Sequence, residues 1–324
     1  MSKIFGVTVG DSSGIGPEVL LKAFKEGRIH VPVVAYGDLA ALAYYNSLLH
    51  YEVPLRTIRH VDEFAPSSLN IIDHARITDS QITPGLLNAA SGSAAREYVI
   101  SASRAALAGE IAAMVTLPMN KEATQMTAPD FVGHTELIGS VCGVEDVTIM
   151  LVSDALIVTH VTTHCSLAEA IHRTKQLRIR TILSLTCAAV AKLIPNPRIA
   201  VAGLNPHAGE HGLFGREEIE EICPAVEWAK SQGMPVDGPF PPDTLFYLAV
   251  RKQRYDAIVC MYHDQGHIPL KLLDFEGGVN VALGLPIIRT SVDHGTAFDI
   301  AGKGVAGAGS FEKALELAVR LAQM

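Results

Sequence analysis

The sequence predicts an α/β protein made of two α/β/α domains with a cleft between them, and three observations carry that expectation. The chain has 324 residues, more than one hydrophobic core comfortably organises. It opens as strand, helix, strand, the unit from which parallel sheets are built. Short apolar runs then recur along its length, each followed by a loop rich in glycine and polar side chains, and open sheets bind ligands beyond the C-terminal ends of their strands.

Composition narrows the class. Apolar residues make up 48%, with 27 Gly and 17 Pro, which describes a well-buried protein with many tight turns. A net charge of −8 gives no electrostatic basis for nucleic-acid binding. No apolar run approaches the roughly 20 residues that span a bilayer, and the N-terminus enters a strand-like segment without a signal-peptide pattern. A cytoplasmic protein without nucleic-acid or membrane partners is the expectation. The five cysteines are scattered and contain no Cys-x-x-Cys pair, so they read as small buried hydrophobes.

In chain order, Ile4 to Val9 reads as a strand, followed by Gly10-Asp11-Ser12-Ser13-Gly14-Ile15-Gly16-Pro17-Glu18 and a helix to about Phe24. Pro17 and Glu18 suit a first helical turn, one because its missing N–H costs nothing there, the other because of the helix dipole. Val33 to Tyr36 is a strand and 38–50 a helix; Ala90 to Leu107 is an Ala-rich helix, and Ile111 to Thr116 a strand leading to Lys121. Gly133-His134-Thr135-Glu136 begins a further helix. Val147 to Val152 and Leu156 to Val161 form a strand pair ending near His164; helices at 167–173 and 176–193 precede the strand Arg198 to Ala202, and Gly203 to Glu210 carries His207. Helices near 219–232 and 243–250 lead to the strand Ala257 to Met261, which delivers His263 and Asp264 into a glycine-containing loop. Val279 to Leu283 is a strand; Arg289 follows the next apolar run, then a loop dense in Asp, His, Thr and Gly. Ser310 can cap a last helix, Phe311 to Ala322.

His164, His207 and His263 share one setting, a loop just after a β-rich run. Each alone also suits a hydrogen-bonded loop histidine, but three neutral imidazoles at one sheet edge could hold a divalent ion with open positions. Cys260 and His263 do not make half a zinc motif, because residues three apart on a strand face opposite ways. Gly302-x-Gly304-x-x-Gly307 is no dinucleotide fingerprint, since no strand precedes it and too little chain follows. Lys121, Lys271 and Arg289 lie near these loops with His134 and Thr135, which suggests anion binding, phosphate in particular.

Taken in order, the blocks Gly10 to Glu18, Gly133-His134-Thr135-Glu136, Thr162-Thr163-His164, Gly203 to Glu210, Asp243-Thr244-Leu245-Phe246, Tyr262 to Gly266 and Ile288 to Ala297 resemble the PdxA family of 4-hydroxythreonine-4-phosphate dehydrogenases and related four-carbon acid-sugar 4-phosphate dehydrogenases, over essentially the whole chain. That family is similar in fold to isocitrate and isopropylmalate dehydrogenases. The resemblance implies a cofactor-side domain of residues 1–125 plus 285–324 and a metal- and dimer-side domain of residues 126–284. It implies a homodimer with metal sites at the subunit interface.

It also implies roles. His164, His207 and His263 become the metal ligands, zinc first, with Mg, Mn or Co as alternatives. His134, Thr135, Lys271, Asn280 and Arg289 become substrate-binding, and Lys271, Asp243 and His134 catalytic. His294, Gly295, Thr296 and Asp299 become cofactor-binding, similar to an adenosine-binding loop, with NAD expected and NADP the alternative because Asp299 would repel a 2′-phosphate. The reaction implied is metal-dependent oxidative decarboxylation of a phosphorylated hydroxy acid, first of all 4-hydroxy-L-threonine 4-phosphate, the substrate in pyridoxine biosynthesis, or a close relative. Asp11-Ser12-Ser13 stands where biosynthetic members have Glu-Pro-Ala, and Gln265-Gly266-His267-Ile268-Pro269 looks like catabolic members, so D-threonate or D-erythronate 4-phosphate is the alternative. An aromatic dihydrodiol carboxylate ranks third, and a non-catalytic metal- or phosphate-binding protein is the reading from a different class.

Overall fold

The structure, a computed structural model, describes residues 3–275 and 277–323; residues 1, 2, 276 and 324 of the expected domains lie outside them. The chain divides into two compact units, one of residues 3–145 with 285–323 and one of residues 146–284.

The first unit runs β1 (Phe5–Thr8), α1 (Gly16–Lys25), β2 (Val33–Gly37), α2 (Leu39–Leu48), β3 (Leu55–Ile58), β4 (Leu69–Asp73), α3 (Ala89–Leu107), β5 (Ala113–Thr116), α4 (Lys121–Gln125) and α5 (His134–Cys142). The second holds β6 (Thr148–Val152), β7 (Ile157–His160), α6 (Leu167–Arg173), α7 (Gln176–Ala191), β8 (Ile199–Ala202), α8 (Cys223–Ser231), β9 (Val236–Phe240), α9 (Pro242–Val250), β10 (Ala257–Cys260), α10 (His263–Leu273) and β11 (Val279–Leu283). The chain then returns to the first unit with β12 (Arg289–Val292) and α11 (Gly309–Ala322).

In the first unit the strand order is β3-β4-β2-β1-β5-β12, all parallel. Every residue of β1, β2, β5 and β12 is buried, as expected of strands covered on both faces. In the second unit the order is β11-β6-β7-β10-β8-β9: β7, β10, β8 and β9 are parallel, and β6 and β11 add antiparallel pairs. Its core joins Leu151, Val158, Ala200, Ile258 and Cys260 of the sheet to Leu245 of α9 and Leu270 of α10. Cys260 is fully buried, and desolvation pushes its thiol far above the usual range, as its reading as a core residue requires.

Three expectations are corrected. Residues 126–145, expected in the second domain, fall in the first unit, because α5 packs on α3. His134 and Thr135 therefore belong to the same unit as Arg289. His263 and Asp264, expected in a loop, open α10 instead, and that helix continues through Pro269. Ser310 lies inside α11, whose N-cap is Ala308.

Candidate active site

The second unit builds a pocket around two of the expected ligands. A cavity of about 470 Å³ is lined by Thr163, His164, Cys165, Leu167, Ala170, Tyr262, His263 and Asp264. The rings of His164 and His263 are 5.8 Å apart, centre to centre. Nδ1 of His263 lies 2.7 Å from Oδ1 of Asp264; the carboxylate accepts, so Nδ1 carries the hydrogen and Nε2 keeps its lone pair, as a ligating imidazole needs.

The rest of the Tyr262 to His267 segment holds this arrangement in place. The amide of Gln265 accepts from Met261 N at 2.7 Å and donates to Gly203 O at 2.7 Å, tying the start of α10 to the end of β8. A Cβ at Gly266 would stand 2.5 Å from Nε2 of His160, so the absence of a side chain admits that ring. His267 stacks on His263 with ring centres 3.6 Å apart and planes 11° apart.

His207 is placed differently. Residues His207 to His211 all have positive φ, a left-handed turn that L-residues adopt at a cost of about 1–2 kcal/mol each. The buried Glu218 clamps it: its carboxylate accepts from Leu204 N and Asn205 N, both at 2.7 Å, and from Asn205 Nδ2 at 2.9 Å. A Cβ on Gly209, at φ +80°, would lie 2.7 Å from Oε2 of Glu218. His207 meets Glu210 at 3.2 Å and the edge of Phe214, and is not among the residues lining the His164 and His263 cavity. Among the described residues of one chain, no three His, Cys, Asp or Glu side chains are gathered for a metal ion. The donor set present, two imidazoles with one oriented by a carboxylate, fits part of a zinc site.

Lys271 follows on α10, half-buried, with Nζ 5.4 Å from the Phe275 ring. Asn280 is half-buried on β11 opposite Leu151 of β6, and Asp243 is exposed in the first turn of α9. None of the three lines the histidine cavity.

The first unit holds the expected anion residues. Arg289 is 3% exposed, and its Nε and Nη2 donate to the Thr116 hydroxyl at 3.1 and 2.6 Å. Burial lowers its pKa to about 10, with Glu136 acting the other way, so it stays charged at neutral pH. His134 opens α5, and its pKa falls to about 3, first through burial, then through the charges of Arg289 and Lys121, opposed by a hydrogen bond to the Leu117 backbone. Its Nε2 is buried and has no hydrogen-bond partner among the described residues. Thr135 is buried beside it.

The expected cofactor loop is fixed to the N-terminal loop. Ile15 N donates to Thr296 O at 3.0 Å, and a Cβ at Gly14 would stand 2.9 Å from Thr296. Beneath lie Asp11, Ser12 and Ser91: the Asp11 carboxylate accepts from the Ser91 hydroxyl and from Ser13 N, and Ser12 Oγ meets Ser91 Oγ at 2.8 Å. Burial raises the pKa of Asp11. His294 donates Nδ1–H to Gly295 O at 3.1 Å, Gly295 has open space where a Cβ would be, and Asp299 is exposed. A loop tied to its neighbour at Thr296, with an open glycine and an accessible carboxylate, fits a nucleotide's ribose.

Reading the residues alone missed Asp264 as the group orienting His263, Thr116 as the partner of Arg289, and His160 and His267 as neighbours of His263. Recognising α10 as a helix would have found His267, since residues four apart share a helix face.

Residues 28–318 match the family described as Pyridoxal phosphate biosynthetic protein PdxA. A D-threonate 4-phosphate dehydrogenase from Pectobacterium atrosepticum is 43% identical, with 99% of this chain and 100% of that protein covered. A 4-hydroxythreonine-4-phosphate dehydrogenase from Desulforapulum autotrophicum is 41% identical, with coverage of 97% and 94%. The crystal structure of a 4-hydroxythreonine-4-phosphate dehydrogenase from Klebsiella pneumoniae superposes with a TM-score of 0.89 at 43% identity, with coverage of 99% and 100%. This chain belongs to the PdxA family of dehydrogenases.

Proposed function

We propose that the chain oxidises the C3 hydroxyl of a four-carbon acid 4-phosphate with NAD and releases C1 as carbon dioxide. Hydride leaves C3 for the nicotinamide and the hydroxyl proton leaves as the ketone forms. The C1–C2 bond then breaks, its electron pair passes through the new carbonyl, and C2 is reprotonated. The observation that carries the reading is the meeting of His164 and His263 in one cavity, with Asp264 fixing the lone pair of His263.

The metal, zinc first and Mg, Mn or Co as alternatives, would be held by His164 and His263 of one subunit and His207 of a second copy. When bound it supplies Lewis-acid polarisation of the substrate's oxygen. Arg289, with Thr135, binds the phosphate, and a buried guanidinium is suited to it. His134, kept neutral by burial and by two cations, serves as a hydrogen-bond acceptor for the substrate through Nε2 and not as a proton donor. Lys271 and Asp243 carry the two proton transfers, and Asn280 positions the acid. His294, Gly295, Thr296 and Asp299 hold the adenosine side of NAD, with the Asp299 carboxylate accepting from ribose hydroxyls and disfavouring NADP.

D-threonate 4-phosphate is the proposed substrate, supported by the relative of that name and by the Gln265 to Pro269 segment; 4-hydroxythreonine 4-phosphate differs at C2, an ammonium replacing a hydroxyl. The test is kcat/KM for both compounds with each metal, following NADH and carbon dioxide. A higher value for the ammonium compound would reassign the substrate; no NADH from either would remove the reading.

A further inference from the structure

His267 and His160 are not used by the proposed reaction, yet they form an ordered column beneath His263. The planes of His267 and His263 are nearly parallel at 3.6 Å, and the His160 ring centre is 4.6 Å from that of His267. His160 is fully buried and His267 is 8% exposed. Nδ1 of His267 lies 3.0 Å from the His263 carbonyl oxygen, which can only accept, so that nitrogen carries the hydrogen. The same Nδ1 is 3.2 Å from Nε2 of His160, which must then be the acceptor. Nδ1 of His160 therefore carries a hydrogen and faces Ile149 O of β6 at 3.4 Å. One set of tautomers meets these three contacts, and the column ends on sheet backbone. Gly266 completes it by leaving room for His160.

Taking His263 as a metal ligand, as proposed above, we propose that His267 is a positioning residue for it. Asp264 fixes which nitrogen of His263 is bare; the flat face of His267 fixes how the ring is turned. A ring that two neighbours hold in its ligating orientation loses little freedom on binding a metal, and removing such support costs roughly 10–100-fold in metal affinity. His160 acts at one remove, bracing His267 against β6.

The experiment is zinc affinity of the metal-free full-length protein, by competition with a chromophoric chelator, for the parent, His267→Leu, His267→Phe and His263→Ala, with melting temperatures alongside. His267→Leu is expected to bind zinc about tenfold more weakly at an unchanged melting temperature, since the leucine fills a buried site without presenting a flat face. His267→Phe, which restores the plane, is expected to recover most of that loss, and it serves as the test should the leucine variant fold poorly. Zinc affinity in His267→Leu equal to the parent's, while His263→Ala has lost it, would overturn the inference and leave the metal site standing. Parent-like zinc affinity in His263→Ala would instead remove the metal reading itself.

Discussion

At the scale of single residues, burial sets the chemistry of the first unit. His134 is held at a pKa of about 3, below the 6.5 of an exposed imidazole, so the unfolded chain binds a proton that the folded one refuses between those values. Stability from this group is therefore present above pH 6.5 and is lost as pH falls from 6.5 toward 3, at about 1.4 kcal/mol per pH unit. Urea midpoints between pH 6.5 and 5, above the range where carboxylates titrate, should fall in the parent and fall less steeply in His134→Gln. Equal slopes would mean that the ring is not desolvated in solution. Arg289 leads to a kinetic prediction. Replacing it with Ala should raise KM for a 4-phosphorylated acid strongly, on the order of 2–5 kcal/mol of lost binding, while leaving the poor turnover of the unphosphorylated analogue unchanged. A parent enzyme that handles both compounds equally would reassign Arg289 to the substrate carboxylate. The reactive residue types were legible in the sequence because His, Asp and Arg beside glycine in loops are costly choices for packing. Thr116 was not legible, since a threonine ending an apolar strand looks like any other.

At the scale of elements, the long helices and the apolar strands were readable, and polar or interrupted elements were not. Leu167–Arg173 and Val279–Leu283 were read with their observed limits. β12 is Arg-Thr-Ser-Val, a buried strand without an apolar pattern, and β9 contains Gly238-Pro239, which reads as a turn. α10 was hidden by Gly266 and Pro269, both helix breakers, although each has a local reason to be there: one admits His160, the other is accommodated within the helix. The left-handed turn after β8 was also invisible, because four of its five residues are not glycine. That turn yields a pair of opposed expectations. Ala208, at φ 53°, should accept glycine with a gain of about 1 kcal/mol, whereas Gly209→Ala should cost roughly 1–3 kcal/mol because a Cβ there also meets the Glu218 carboxylate. Urea midpoints at fixed protein concentration check both; a stabilising Gly209→Ala would mean that the turn is not left-handed in solution.

At the scale of the whole molecule, the sequence placed three histidines in equivalent settings but could not say whether one chain brings them together. In the second unit His164 and His263 share a cavity and His207 does not line it, while exposed apolar side chains flank both segments: Leu167 beside the cavity, Leu213 and Phe214 beside His207. Exposed apolar groups near an incomplete donor set are what a subunit interface would cover. If a second copy supplies His207, two inactive variants should complement each other. In a hybrid of His207→Ala with His263→Ala, one site takes His207 from the second variant and His164 and His263 from the first, and is intact; the other site lacks both. Random reassociation makes half the dimers hybrid, each with one intact site of two, so activity should recover to about a quarter of the parent's. If each chain built its own site, every site in the hybrid would still lack one ligand. Mixing the two variants after reversible dissociation, and finding no activity above either alone although native mass spectrometry shows hybrid dimers, would place all three histidines in a single chain.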